Sequence, residues 1–390
     1  MRHFLNLRMT GFHSALGAAM VFSLALEPVA RADSIELLNG QRHDNVQILS
    51  AKWDLVRYRL ANAPQAQSVP GERVLAIVRE STLLQGPRMA LESGRAAKAL
   101  NDLESIVAAP GKEDDWQKGE AMFLLARAQR VAGQSKVAIT AYKDYLEKFK
   151  AAKDWFLPRA TYELGETQLG ASLPGTAEIT FKELAAYGGQ WTLRSKLGEA
   201  MAALAAKGAA EAMKIRGLCD EVVKSRDAPP ELRNEALVIR ARVLLLQKNP
   251  KQAIEELTNN FFSVTKSDLT YSAERAKATL LMGKAFLLQE GKESQDWAEI
   301  WFLRVASLYR SHSALYAEAC DQLSALYQKA GNSKRADEWK ARKDQARTVA
   351  PAHAPAPSSA TPTTPAAPQP TSKKASPPAT AQGGGSKGSQ

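Results

Sequence analysis

A chain of 390 residues with 45% apolar and 24% charged residues can bury a sizeable core, and has room for two domains or one elongated array. Its formal charge of +11 falls to +9 once residues 1–32 are set aside, and Lys373, Lys374 and Lys387 lie near the C-terminus. The folded part is therefore only mildly basic, which permits an anionic partner without demanding one.

Residues 1–32 read as a secretory signal: Arg2 and Arg8, then the apolar run LGAAMVFSLAL, then Ala30-Arg31-Ala32 as a small-x-small cleavage site before Asp33. The run is too short to span a bilayer. No Cys follows it, which excludes a lipoprotein anchor, and no later run has spanning length. The expectation is an exported protein without a transmembrane span, in the periplasm, cell envelope or outside.

Residues 33–80 alternate at period two: Val46 and Ile48; Val56, Tyr58 and Leu60; Leu75 and Ile77. The spacing predicts five short β strands. Asn39-Gly40 marks the first hairpin, with QRHD making its turn longer than two residues. The module resembles a small curled SH3-like or Sm-like barrel. Its core is small, so it is expected to pack on the first helices, with Trp53 in that contact or capping the barrel. Arg57 and Arg59 alternate with Val56 and Tyr58, an outward, solvated face, and no nucleic-acid partner is expected.

Residues 85–345 carry helical periodicity. In 119–150, Met122, Leu125 and Ala126 form one stripe, Gly133 breaks it, and Ala138, Tyr142, Leu146 and Phe149 form a second. The small residue recurs as Gly165, Gly198, Ala241, Gly283 and Ser324, at gaps of 39, 33, 43, 42 and 41. Its small partner on the second helix is Ala138, Ala177, Ala210, Ala253, Ala298 and Ala336. A large wedge residue follows at Tyr142, Phe181, Leu257 and Phe302, replaced by Lys214 and Lys340 in the third and last units. Gly94, Ala99 and Leu103 suggest an earlier half unit. Pro158, Pro229-Pro230 and Asn249-Pro250 start or divide helices, Tyr187-Gly188-Gly189 ends a unit, and Leu173-Pro174-Gly175 reads as an enlarged turn.

This pattern resembles the tetratricopeptide repeat (TPR), through Leu125, Ala126, Gly133, Ala138 and Tyr142; Met122 and Lys150 stand at the family's Trp and Pro. The fold expected is mainly α: an irregular TPR-like α-solenoid of helix-turn-helix repeats, an N-terminal β-barrel-like module and a disordered C-terminal tail. The resemblance implies a right-handed superhelix with a concave groove lined by the first helix of each pair.

Residues 346–390 are rich in Pro, Ala, Ser and Thr and are expected to stay disordered, as a spacer, tether or inert tail. Cys219 and Cys320 read as buried core residues in different repeats. His43, His312 and His353 have no metal-ligand spacing. Gly383-x-Gly385-x-x-Gly388 lacks the strand and helix of a dinucleotide site, and Ser263-Val264-Thr265-Lys266 lacks the companion motif of penicillin-interacting enzymes. No catalytic, cofactor or metal site is expected, and the chain is not read as an enzyme.

What remains is binding. The family's groove positions, carried onto this chain, give Phe123, Arg127 and Arg130; Tyr162, Glu166 and Leu169; Val238, Arg242 and Leu245; Leu280, Lys284 and Leu287. Arg159 and Lys277 lie beside them. The expected site is Phe123, Arg127, Arg130, Arg159, Tyr162, Arg242, Lys277 and Lys284, a surface for an extended, acidic protein or peptide segment. Arg127 and Glu166 stand where the chaperone-binding members carry Asn, so their carboxylate clamp is not carried over. The role expected is an adaptor of the cell envelope. The alternatives are a structural protein touching peptidoglycan or another anionic polymer through the tail, and a regulatory subunit of an envelope enzyme.

Overall fold

The computed structural model describes residues 33–63, 65–109, 116–264 and 272–349. The expected signal and all of the expected tail beyond residue 349 lie outside these residues. Among the described residues, no helix is long and apolar enough to cross a membrane.

Strands β1 (Asp33–Leu37), β2 (Arg42–Ala51), β3 (Leu55–Leu60), β4 (Ala66–Pro70) and β5 (Val74–Val78) form one antiparallel sheet in the order β4-β3-β2-β1-β5. The β1–β2 turn spans residues 38–41, with Gly40 at φ +83°. Ile35, Val46, Val56, Tyr58 and Val74 point inward and are buried, while Arg57 and Arg59 are exposed. The edges β4 and β5 are joined by a 3-10 turn, Gly71–Arg73, rather than paired with each other.

The sheet grips the helices further along the chain than expected. It does meet the first helix, α1 (Thr82–Glu92), where Arg88 donates to the Arg79 carbonyl at 2.8 Å. Its main hold, however, is the loop at 150–156. Lys52 bridges Asp154, the Trp53 amide donates to the Lys153 carbonyl at 3.0 Å, and the Trp53 ring meets Tyr187 edge-on at 5.1 Å. The two layers exchange tryptophans: Trp53 packs against the helical core and Trp155 against the sheet core. Gly71 makes this corner possible. A Cβ there would sit 2.0 Å from the Trp53 carbonyl oxygen, and the Gly71 amide is already held by the Asp54 carbonyl at 3.0 Å. Gly71→Ala is therefore expected to cost about 3 kcal/mol. Amide exchange should speed up across β3 to β5 while the distal helices keep their protection.

The helices continue as α2 (Ala96–Ala108), α3 (Trp116–Val131), α4 (Ser135–Phe149), α5 (Leu157–Gly170), α6 (Pro174–Leu184), α7 (Gly189–Lys207) and α8 (Ala212–Lys224). Then come α9 (Pro230–Leu246), α10 (Pro250–Glu256), extended by a π-helical turn at Leu257–Phe262, α11 (Ser272–Leu287), α12 (Lys292–Leu308), α13 (Ser313–Lys329) and α14 (Ser333–Val349). They pair as the repeats predict, with Gly133 at φ +77° closing the α3–α4 turn. The expected wedges Tyr142, Phe181, Leu257 and Phe302 are all fully buried. Phe181 shows why their neighbours are small: a Cβ on Gly165 or Gly198 would lie 2.6 or 2.2 Å from its ring. In the last unit the Ser324 hydroxyl donates to the Ala336 carbonyl at 2.9 Å, so the small pair still closes the helices.

Three details differ from the sequence reading. Pro174 is not part of an enlarged turn but the first residue of α6, a position its missing N–H suits. Ala210 is exposed in a 3-10 turn, because α7 runs on to Lys207 and delays its partner; Ala212, Ile215, Cys219 and Val222 do the packing. Helix α14 extends to Val349, past the expected boundary at 345. Cys219 and Cys320 are both free and buried, and burial pushes the Cys219 thiol up to about 12.

Candidate functional site

The first helices of successive pairs, α1, α3, α5, α7, α9, α11 and α13, touch one another in turn, whereas successive second helices make no comparable contact among the described residues. The array therefore curves with its first helices inside. Their free faces line the concave side.

Glu163 on α5 is the hub of that side. Its side chain is 5% exposed and lies 3.6 Å from Arg127, 3.7 Å from Arg130 and 3.1 Å from Arg159. The Tyr142 hydroxyl donates to it at 2.7 Å. Helix spacing delivers each partner: Arg127 and Arg130 are one turn apart on α3, and Arg159 is one turn before Glu163 on α5. Burial alone would raise the carboxyl, but three guanidinium groups and the tyrosine outweigh it and hold its pKa at about 2. The same burial, and then Glu163, push the Tyr142 hydroxyl well above its ordinary range. Arg159 is lowered, first by burial, with Arg127 and Arg194 adding repulsion against the attraction of Glu163.

Arg130 also reaches Glu166 at 3.3 Å. Glu166 is solvent-accessible yet walled by protein. Burial raises its carboxyl; Arg130 and Lys277 oppose this, while Glu163 and Glu235 add to it. Charges on α3, α5, α9 and α11 thus share one field across the concave face.

The expected residues divide accordingly. Arg127, Arg130, Arg159 and Tyr162 come together, and exposed Lys277 lies within electrostatic reach of Glu166. Arg242 is exposed and has no ion pair among the described residues. Lys284 is further along, ion-paired with Glu318 on α13. Phe123 is a correction. It is 1% exposed, stacked on Phe156 at 4.8 Å and tilted against Tyr142 and Tyr145, so it belongs to the core. Val238 and Leu280, its equivalents in later repeats, are buried too. That repeat position is closed over at Phe123, Val238 and Leu280, whereas Tyr162 in the second unit is only half-buried.

Sequence reasoning missed Glu163, Arg194, Trp191 and Glu235. The Arg159–Glu163 spacing of four was a visible signal; the convergence of two arginines from α3 was not. Arg194 on α7 lies over the rings of Tyr162 at 5.4 Å and Trp191 at 5.6 Å.

A second charged cluster lies beneath the sheet. Arg79, Glu120 and Asp154 line a cavity of about 20 Å³ with Ala51, Ile77, Trp116, Trp155 and Phe156. Arg88 donates to Glu120 at 2.7 Å, and the Tyr145 hydroxyl bonds Asp154. Burial raises both carboxyls. This cluster ties sheet to helices and is too small for a ligand.

No family model matches the chain. Over 130 residues it is 30% identical to Tetratricopeptide repeat protein 23-like from Mus musculus, a match covering 33% of this chain and 28% of that protein. The solved structure of the apo form of RapI superposes with a TM-score of 0.51 at 16% identity, over 68% of this chain and 96% of that one. A tetratricopeptide repeat protein from Parabacteroides merdae gives a TM-score of 0.33 at 14% identity, over 61% of this chain and 97% of that one, too loose to support an inference. The fold is a mainly helical, TPR-like solenoid preceded by a small antiparallel sheet.

Proposed function

We propose that the chain is an exported, non-catalytic adaptor of the cell envelope that docks a segment of a partner protein on its concave face. The observation that carries this reading is the shared field of charged side chains from α3, α5, α9 and α11 on the inside of the curve. A rigid concave face built from several repeats suits an extended segment, and TPR-like architecture supports a protein partner. Export rests on the residues of the N-terminal segment alone. The SH3-like or Sm-like reading of the β module is supported by its small size and its five short strands.

Capture from envelope extract tests the proposal. The informative variant is Arg242→Glu with Lys277→Glu, because both side chains are exposed and have no ion pair among the described residues. Arg127 and Arg130 are unsuitable, since their loss would strand buried Glu163. Retention of the partner is expected to fall about tenfold in the variant. An identical captured set from both proteins would contradict the concave-face reading.

A further inference from the structure

We propose that Arg159 and Arg194, with Tyr162 and Trp191 as platform, form a subsite for a single carboxylate of the docked segment. This rests on the concave-face reading above and gives it a chemistry.

Arg194 is the starting point. Its guanidinium lies over two aromatic rings. It has no ion pair or hydrogen bond among the described residues, and its Nε is buried without a partner. Neither ring contact takes an N–H of the guanidinium, so its donors remain for an acceptor. Nothing on α7 supplies that acceptor. Arg159 is close enough to Arg194 to be repelled by it, and it already shares Glu163 with Arg127 and Arg130. Three guanidinium groups therefore share one buried carboxylate, Glu166 is engaged by Arg130, and Arg194 stands within electrostatic reach of Arg159 with no acidic partner among the described residues. The missing element is an acceptor for Arg194.

The surroundings limit what brings it. Glu166 and Glu235 both act on Tyr162, and further along the curve burial, then Glu235 and Glu231, raise the Glu274 carboxyl against the pull of Lys277. A polyanion or a doubly charged phosphate over Tyr162 would meet these carboxylates. One carboxylate, followed along α9 and α11 by uncharged residues, meets the arginines without setting further negative charge against these carboxylates. The acidic partner expected from the sequence is thus narrowed to a segment with one acid and an uncharged flank. The acid is an Asp or Glu side chain, or the segment's own C-terminus.

The test uses the full chain and a synthetic octapeptide library in two forms, free acid and C-terminal amide. Retained peptides are sequenced, and the best is titrated by fluorescence anisotropy. A carboxylate from a side chain appears as one enriched acidic position in both forms; a C-terminal carboxylate appears as retention of the free-acid form alone. The best peptide should bind Arg194→Ala at least about tenfold more weakly, the scale of a charge-assisted hydrogen bond, with Arg194→Lys between. Circular dichroism melting checks that both variants fold, and Arg194→Lys keeps the charge should Arg194→Ala not fold. Loss of binding in Arg242→Glu/Lys277→Glu with none in Arg194→Ala would overturn the subsite and leave the concave-face reading standing. Equal binding to every variant, peptides enriched without any carboxylate, or no retained peptide, would overturn the subsite as well.

Discussion

Glu163→Gln is expected to destabilise the α3–α5 region by about 3 kcal/mol at neutral pH, and the loss should shrink on acidification. Gln can still accept from Tyr142, so the change isolates the charge. The native carboxyl, with a pKa of about 2, sits below its ordinary unfolded value. A lowered carboxyl contributes stability that is full above the unfolded pKa and is lost as pH falls through the folded one. A carboxyl held at about 2 against an ordinary value of 4.5 corresponds to about 3 kcal/mol, in line with the cost of breaking a buried ion pair. The difference between the parent chain and the Glu163→Gln variant should therefore be constant from about pH 5 to neutral and fade between about pH 4 and 2. Comparing the two chains at each pH cancels the other titrating groups. Solenoids open locally, so amide exchange in α3 to α5 is the better readout, with urea unfolding beside it. A difference that does not change with pH would mean that the three guanidinium groups do not hold the carboxylate ionised.

The second large effect lies at the contact between repeats. Phe181 is fully buried against Gly165 of its own repeat and Gly198 of the next. Phe181→Ala is expected to cost about 4 kcal/mol, from lost burial and the cavity left behind. Gly198→Ala reverses the usual helix rule. Alanine normally gains about 1 kcal/mol over glycine inside a helix, yet here the added Cβ meets the ring and a net cost of about 2 kcal/mol is expected. Gly217, on α8 with open space around its missing Cβ, is the control, and Gly217→Ala should stabilise slightly. The double variant Gly198→Ala/Phe181→Leu should be more stable than the two single costs added together, because the smaller side chain relieves the clash. Strict additivity in urea unfolding would show that Phe181 does not join the two repeats.

These effects also show what could be read before the fold was known. The repeat is legible because each helix pair needs a small residue where backbones meet and a large one in the wedge, and those sizes recur along the chain. The reading slips where length rather than size decides: α7 overruns its expected end, so Ala210 falls in a turn and Ala212 takes its place. The strands of the sheet are legible from alternation, but its grip on residues 150–156 is a contact between distant segments and leaves no local pattern. The candidate site is only partly legible. Helix spacing puts Arg127, Arg130, Arg159 and Tyr162 on the inner face, yet burial of Phe123 depends on Phe156 arriving from the next loop. The paired state of the three arginines depends on Glu163, which looked like an ordinary helix residue. Arg194 became visible only through the two rings it covers.

The most direct test of the concave face as the docking surface is side-chain footprinting of the full chain with and without its captured partner. Tyr162 and Trp191 report on the inner face. Met213 on α8 and Trp297 on α12, which are 83% and 45% exposed, report on the second helices of their pairs. Protection of Tyr162 and Trp191, with Met213 and Trp297 still labelled as in the free chain, is the predicted result. Protection of Met213 and Trp297 with the inner pair unchanged would place the partner on the opposite face and contradict it.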